Sequence, residues 1–237
     1  MKKLDNGFDE KLDNIKTLKW LPYIGKDYIN LSSGEKLLII GESHYLPNDT
    51  EDWYNDVKTR IFTREIFIMN QIKLSNDEME KVLRNIQKIL LNDNPSDDQK
   101  NKLWNSVSYY NFIQKELDSS KDRPIEGDYI IGWDTFFKVV EVLNPDYCLF
   151  CGVSAINNTG AMINAAEKNS FYQRFDDKEK FMSDGVKARK LSIGKNGKEI
   201  LVLCIVHPCY RVGFTSSEWR KFIDQHLKDY TKWLRGN

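Results

Sequence analysis

Cysteine is scarce and late in this chain: four residues in 237, all beyond residue 146. That excludes a disulfide-stapled scaffold and makes a reducing, cytoplasmic setting the expectation. Glycine (13) and proline (6) are too few for a collagen-like or low-complexity chain. No apolar run approaches the ~18 residues of a membrane span, and the opening MKKLDNGFDEKLDN lacks the apolar centre of a signal peptide. No membrane partner is therefore expected. Net charge is also missing, with 35 Lys+Arg against 35 Asp+Glu, which argues against a general nucleic-acid coat. With 41% hydrophobic residues the chain is too apolar for disorder. It is long enough to bury a substantial core.

The zero total hides an asymmetry. Residues 178–237 carry 13 Lys+Arg against 6 Asp+Glu, a net +7, so the remainder sums to −7. A solvated basic face is the ordinary reading of such a stretch. A groove for phosphates is the other.

Two kinds of apolar run stand out. LLII before Gly41 and YCLFC at 147–151 have no polar alternation, as in strands buried on both faces. ILVLCIV at 200–206 is equally apolar and follows KNGK, so Lys190–Ile193 and Glu199–Val206 read as a hairpin turning at Asn196-Gly197. The second arm is too apolar for an exposed hairpin and should enter the central sheet. Amphipathic spacing predicts helices over 51–71, 76–91 and 133–143, the last closed by Asn144-Pro145, and another over 217–234 capped by Ser216 or Ser217. NDNPSDDQK reads as a loop. Alternating strands and helices define the class as α/β: a three-layer α/β/α sandwich with a short, mostly parallel central sheet.

In such sheets, sites gather at the carboxyl ends of strands. Two strands here end in polar signatures, Gly41-Glu42-Ser43-His44-Tyr45 and His207-Pro208-Cys209-Tyr210-Arg211. Of only three histidines in the chain, two sit at those ends. Alone, Glu42 suits a helix cap and either histidine a backbone hydrogen bond. Together, a carboxylate and two imidazoles at the ends of strands of one sheet point to a site. GxGxxG, GxxxxGK[ST] and GxSxG are all absent, which disfavours dinucleotide, P-loop and serine-hydrolase chemistry. Cys148 and Cys151, three apart on a strand, point to opposite faces and read as core. Glu42, His44 and His207 could form a two-His, one-carboxylate metal set. No HxxxH or HxH supports it, and neither metal nor cofactor is expected.

LLIIGESHY, NSVSYYNFIQ with the later Arg123-Pro124, LNPDYCLFCG and IVHPCYRVGF, in that order, resemble the motifs of the uracil-DNA glycosylase superfamily over roughly residues 36–225. The resemblance implies one such domain over 1–237, with residues 1–35 as an N-terminal extension. Gly41-Glu42 matches the first two positions of the Gly-Glu-Ala-Pro-Gly motif of the iron–sulfur class. Against Gly-Gln-Asp-Pro-Tyr of the uracil-specific class, Ser43 replaces Asp, His44 replaces Pro and Tyr45 is kept. The cluster cysteines of the iron–sulfur class are missing.

The implied roles are residue by residue. Glu42, with Ser43 and His44 beside it, would steady a sugar cation and orient water, and His207 would polarise the departing base. Asn111 would read the base edge, and Tyr45 or Phe62 would stack on it, with Tyr109 and Tyr110 as further candidates. If nucleic acid binds, the basic stretch should supply the phosphate contacts, with Lys187, Arg189, Lys190, Arg211 and Arg220 as the pool. The implied activity is hydrolysis of an N-glycosidic bond of uracil or a damaged base in single-stranded or duplex DNA by a monomer. Two alternatives remain open: a catalytically silent nucleic-acid or nucleotide binding module on the same fold, and an enzyme acting on a free nucleoside.

Overall fold

The computed structural model describes residues 4–45, 59–72, 78–119, 121–152, 158–176, 182–183, 186–209 and 215–236. In chain order these form α1 (Asp9–Asp13), β1 (Tyr23–Ile24), β2 (Leu37–Gly41), β3 (His44–Tyr45), α2 (Phe62–Ile72), α3 (Glu78–Leu90) and α4 (Asp97–Ser106). Then come β4 (Val107–Asn111), β5 (Glu116–Leu117), α5 (Glu126–Leu143), β6 (Tyr147–Cys151), α6 (Thr159–Lys168), β7 (Tyr172–Asp176), β8 (Met182–Ser183) and β9 (Val186–Lys187). The chain closes with β10 (Arg189–Lys195), β11 (Lys198–Ile205), α7 (Ser216–His226) and α8 (Lys228–Arg235). None of the helices among the described residues is long and apolar enough to cross a membrane.

The described strands build a seven-stranded sheet in the order β1-β4-β2-β6-β11-β10-β7. Its four central strands, β4, β2, β6 and β11, run parallel, while β1, β10 and β7 add antiparallel edges. The sheet is therefore mixed, with the parallel core that the sequence pattern predicts and antiparallel pairing toward its edges. The chain passes from β2 to β4 on one side and then to β6 on the other side of β2. This reversal is the kind of switch point at which α/β sheets open a crevice.

Alternate residues of the central strands feed two cores. Leu38, Ile40, Tyr110, Cys148, Phe150 and Cys204 join Trp133, Phe136 and Phe137 of α5 and Met162 of α6. Ile39, Tyr109, Leu149, Cys151, Leu203 and Ile205 join Phe67 of α2, Ile86 of α3, Trp104 of α4, Trp219 of α7 and Tyr230 of α8. Helices thus cover both faces. Cys148 and Cys151 lie on opposite faces, as their spacing predicts, and burial raises both thiols above the usual range.

Several elements depart from the sequence expectation. NDNPSDDQK is not a loop throughout, because α4 begins at Asp97. Ser96 Oγ accepts the Gln99 N–H (3.2 Å) while Gln99 Oε1 accepts the Ser96 N–H (3.1 Å). That S-x-x-Q capping box overrides the polar composition. Helix α5 starts well before Trp133, at Glu126, where Asp128 Oδ2 accepts the Ile125 N–H (3.0 Å). It ends as expected at Asn144, whose φ of 47° is left-handed. The expected 217–234 helix is two helices that break at Leu227, and its N-cap is Thr215, without a side-chain bond. Leu227 is buried, and the break lets Tyr230 and Leu234 also reach the core. The expected 51–71 helix is described from Phe62 onward; residues 51–58 lie outside the described residues.

Candidate functional site

Parallel register sets the layout. Gly41 is level with Asn111 on β4, Ile40 is level with Phe150 on β6, and Phe150 is level with Cys204 on β11. Glu42, Asn111 and His207 therefore all stand at the carboxyl edge of the parallel core. One strand, β6, separates β2 from β11, so the carboxyl ends of those two strands are about 10 Å apart at ~4.8 Å per strand.

The Glu42 segment is clamped to the end of β4. The Phe112 N–H donates to the Gly41 carbonyl (3.0 Å) and the Ile113 N–H to the Glu42 carbonyl (2.9 Å). Glu42 is half-buried and lines a narrow crevice with Phe112, Ile113, Tyr129, Cys151 and Gly152. The cleft sits at the β2–β6 switch point on the α5 side. Asn111 and His207 are not among its lining residues. Ser43 is half-buried, and its buried hydroxyl has no hydrogen-bond partner among the described residues.

His44 is 6% exposed. Its ring packs edge-on against Trp20 (4.8 Å) and Phe62 (4.9 Å), and Nε2 lies 2.8 Å from Thr63 Oγ1. Burial, aided by Lys19, lowers its pKa from the usual 6.5 to about 3, so the ring is neutral at physiological pH. It is a buried packing residue joining β3 to α2. Phe62 is buried in the same cluster, not presented as a stacking platform. Among the described residues no three His, Cys, Asp or Glu side chains gather in a metal-binding group.

Asn111 is 4% exposed, and its Oδ1 accepts the Tyr109 hydroxyl (3.0 Å). Gln114 buttresses this end of β4. Its Oε1 accepts the Lys19 and Trp20 N–H groups (2.8 and 3.1 Å), and its Nε2 donates to the Asn111 carbonyl (2.5 Å). Tyr45 is half-buried, and its hydroxyl, like the Cys151 and Cys209 thiols, acts electrostatically on the Tyr109 phenol. Tyr110 faces the opposite core.

His207 is half-buried, and its Nδ1 accepts the Cys209 N–H (3.3 Å). An accepting Nδ1 leaves the proton of the neutral ring on Nε2, which makes that nitrogen a donor. Asn85 of α3 steadies the same loop by donating to the Pro208 carbonyl (2.6 Å). No local motif marked Asn85, because its partner is 123 residues away.

Of the phosphate-contact residues, Arg189 is exposed and Lys190 half-buried on β10, with Arg189 level with Cys204 near the carboxyl end of β11. Arg211 lies outside the described residues. Arg220 of the same basic stretch is engaged elsewhere: its Nε donates to the Lys88 carbonyl (2.8 Å) and its guanidinium pairs with Asp93 (2.6 Å).

The chain matches no protein-family model and no curated protein sequence.

Proposed function

We propose that the chain is a uracil-DNA glycosylase-like N-glycosylase that removes uracil or a damaged base from DNA. One observation carries the reading: Glu42, Asn111 and His207, from three motifs far apart in sequence, stand at the carboxyl edge of one parallel core around its switch point. Hydrolysis breaks the bond from the sugar C1′ to the base nitrogen. Positive charge builds on the sugar and the electron pair leaves with the base. The Glu42 carboxylate opposes the first charge and orients the water that bonds to C1′. His207, donating from Nε2, stabilises the second, and the base leaves once protonated. Lys190 and Arg189 on β10 supply positive charge for the phosphate path.

A second reading has its own support. Asn111 and His207 do not line the crevice beside Glu42, so the three groups are not gathered in one cavity, which favours a module that binds without chemistry. Oligonucleotides carrying uracil, hypoxanthine, xanthine or oxidised bases, single-stranded and duplex, are scored for abasic sites. Base release that Glu42→Ala abolishes supports the glycosylase. Binding without release, unchanged by Glu42→Ala, supports the silent module. Release from mononucleosides alone supports the free-nucleoside enzyme.

A further inference from the structure

Tyr172 of β7 is 48% exposed, the one aromatic among the exposed large apolar side chains of the described residues. It stands opposite Gly194 of β10. A Cβ at Gly194 would fall 2.2, 2.3 and 2.4 Å from the Tyr172 Cζ, Cε1 and Oη atoms. The ring therefore lies over bare glycine backbone, in room that a Cβ would take, and its hydroxyl donates to Glu199 Oε2 on β11 (3.4 Å). Covering a strand glycine in this way holds an aromatic in place while its outer side meets solvent.

The sheet face around Tyr172 is open. Leu191 and Ile193 of β10 turn to the core under α5 and α6, so Lys190, Ser192 and Gly194 turn the other way. Ser192 is level with Arg174 of β7, and Gly194 with Tyr172 and Glu199. Among the described residues, none of β7 or β10 joins the core beneath α7 and α8. Arg174 is 71% exposed along its side chain, and its 3.3 Å pair with the exposed Glu199 is of the weak surface kind that a phosphate can displace. Lys190, Arg174 and Tyr172 thus form three successive rows. They start beside Arg189, near the carboxyl end of β11, and lie ~6.6 Å apart, close to the reach of one extended nucleotide.

We propose that this open face of β10 and β7 is the track along which a single strand of nucleic acid leaves the site edge. Lys190 and Arg174 hold phosphates, and Tyr172 stacks on an unpaired base. The proposal rests on the nucleic-acid reading of the site and names the path of the strand. Cations along a groove and an aromatic for stacking are the two ingredients of single-strand binding. A protein partner fits less well, because the neighbours of Tyr172 on this face are Arg174, Ser192, Lys190 and Glu199 rather than an apolar patch.

The test is fluorescence anisotropy of the full chain with an oligothymidine of about 12 nucleotides. Tyr172→Leu keeps an apolar cover over Gly194 and removes the aromatic ring. It should bind ~5–100-fold more weakly, with Tyr172→Phe binding like wild type. Arg174→Ala should lower the slope of log affinity against log salt by ~0.7. Melting curves check that each variant folds. In the unmutated protein, the same oligonucleotide with iodouracil in place of single thymines should photo-crosslink to the peptide carrying Tyr172. Unchanged affinity in Tyr172→Leu, equal losses in Tyr172→Leu and Tyr172→Phe, or crosslinks confined to other peptides overturn the track. Sedimentation showing that Tyr172→Leu abolishes self-association, with oligothymidine binding unchanged, makes the face a protein interface and also overturns it. Tyr172-dependent binding by a protein that releases no base upholds the track and removes the glycosylase. Base release with Tyr172-independent binding does the reverse.

Discussion

His44 lies in the five-residue segment that the sequence singles out, yet its ring is locked between Trp20 and Phe62 and bonded to Thr63. The consequence is acid sensitivity. With a folded pKa of about 3 against 6.5 unfolded, the unfolded chain binds a proton that the folded one refuses. The stabilisation is complete above pH ~6.5 and declines as pH falls toward 3, by an upper bound of about 5 kcal/mol. Denaturant unfolding at pH 7 and pH 4.5 should show wild type losing more stability than His44→Asn, because the carboxylates titrate mostly below that window. At the site itself, His207→Ala should lower base release by ~10²–10³, the usual cost of one preorganised donor. Glu42→Gln should lose at least as much while its melting temperature holds, since the amide keeps the shape and not the charge. Single-turnover assays on the lesion panel measure both.

Capping chemistry governs the elements as much as hydrophobic pattern does. Helix α4 exists as an entry to β4 because Ser96 and Gln99 satisfy each other's backbone donors. Ser96→Ala should cost ~1 kcal/mol in chemical denaturation without altering the site. The β10–β11 hairpin turns through Asn196 (φ 53°) and Gly197 (φ 81°), the pair of positive φ values that an Asn-Gly turn accommodates. Gly197→Ala should destabilise by about 1 kcal/mol, because a Cβ resists that backbone. The hairpin matters to the proposed function because it sets β11, and so His207, in register with β6 and β2.

Across the whole molecule, the basic residues of 178–237 that the structure describes are divided between different tasks. Arg220 spends its charge on Asp93 and ties α7 to the end of α3, whereas Arg189 and Lys190 lie on β10. Lys190→Ala should therefore reduce the slope of log affinity against log salt by ~0.7 on a single strand or ~0.9 on a duplex. Arg220→Ala should leave that slope alone and lower stability instead. Fluorescence anisotropy between low and physiological salt separates the two. Binding that ignores salt would point to a small-molecule pocket.

The sequence by itself determined the local facts: three of the parallel strands, the Asn196-Gly197 turn, the opposite-facing Cys148 and Cys151, and the polar endings after Gly41 and Val206. Each follows from neighbours in the chain, through period, turn chemistry or side-chain alternation. Tertiary structure decided which of those endings are accessible and which are buried. Two adjacent residues, Ser43 and His44, look equally available in the chain; only Trp20 and Phe62, 24 residues back and 18 ahead, make His44 a core residue. The same holds for Tyr109, Gly41 and Asn111, whose contact needs β2 and β4 side by side, and for Asn85, whose bond to Pro208 spans 123 residues. Such contacts leave no periodic trace, because nothing in the intervening chain has to repeat for them to form.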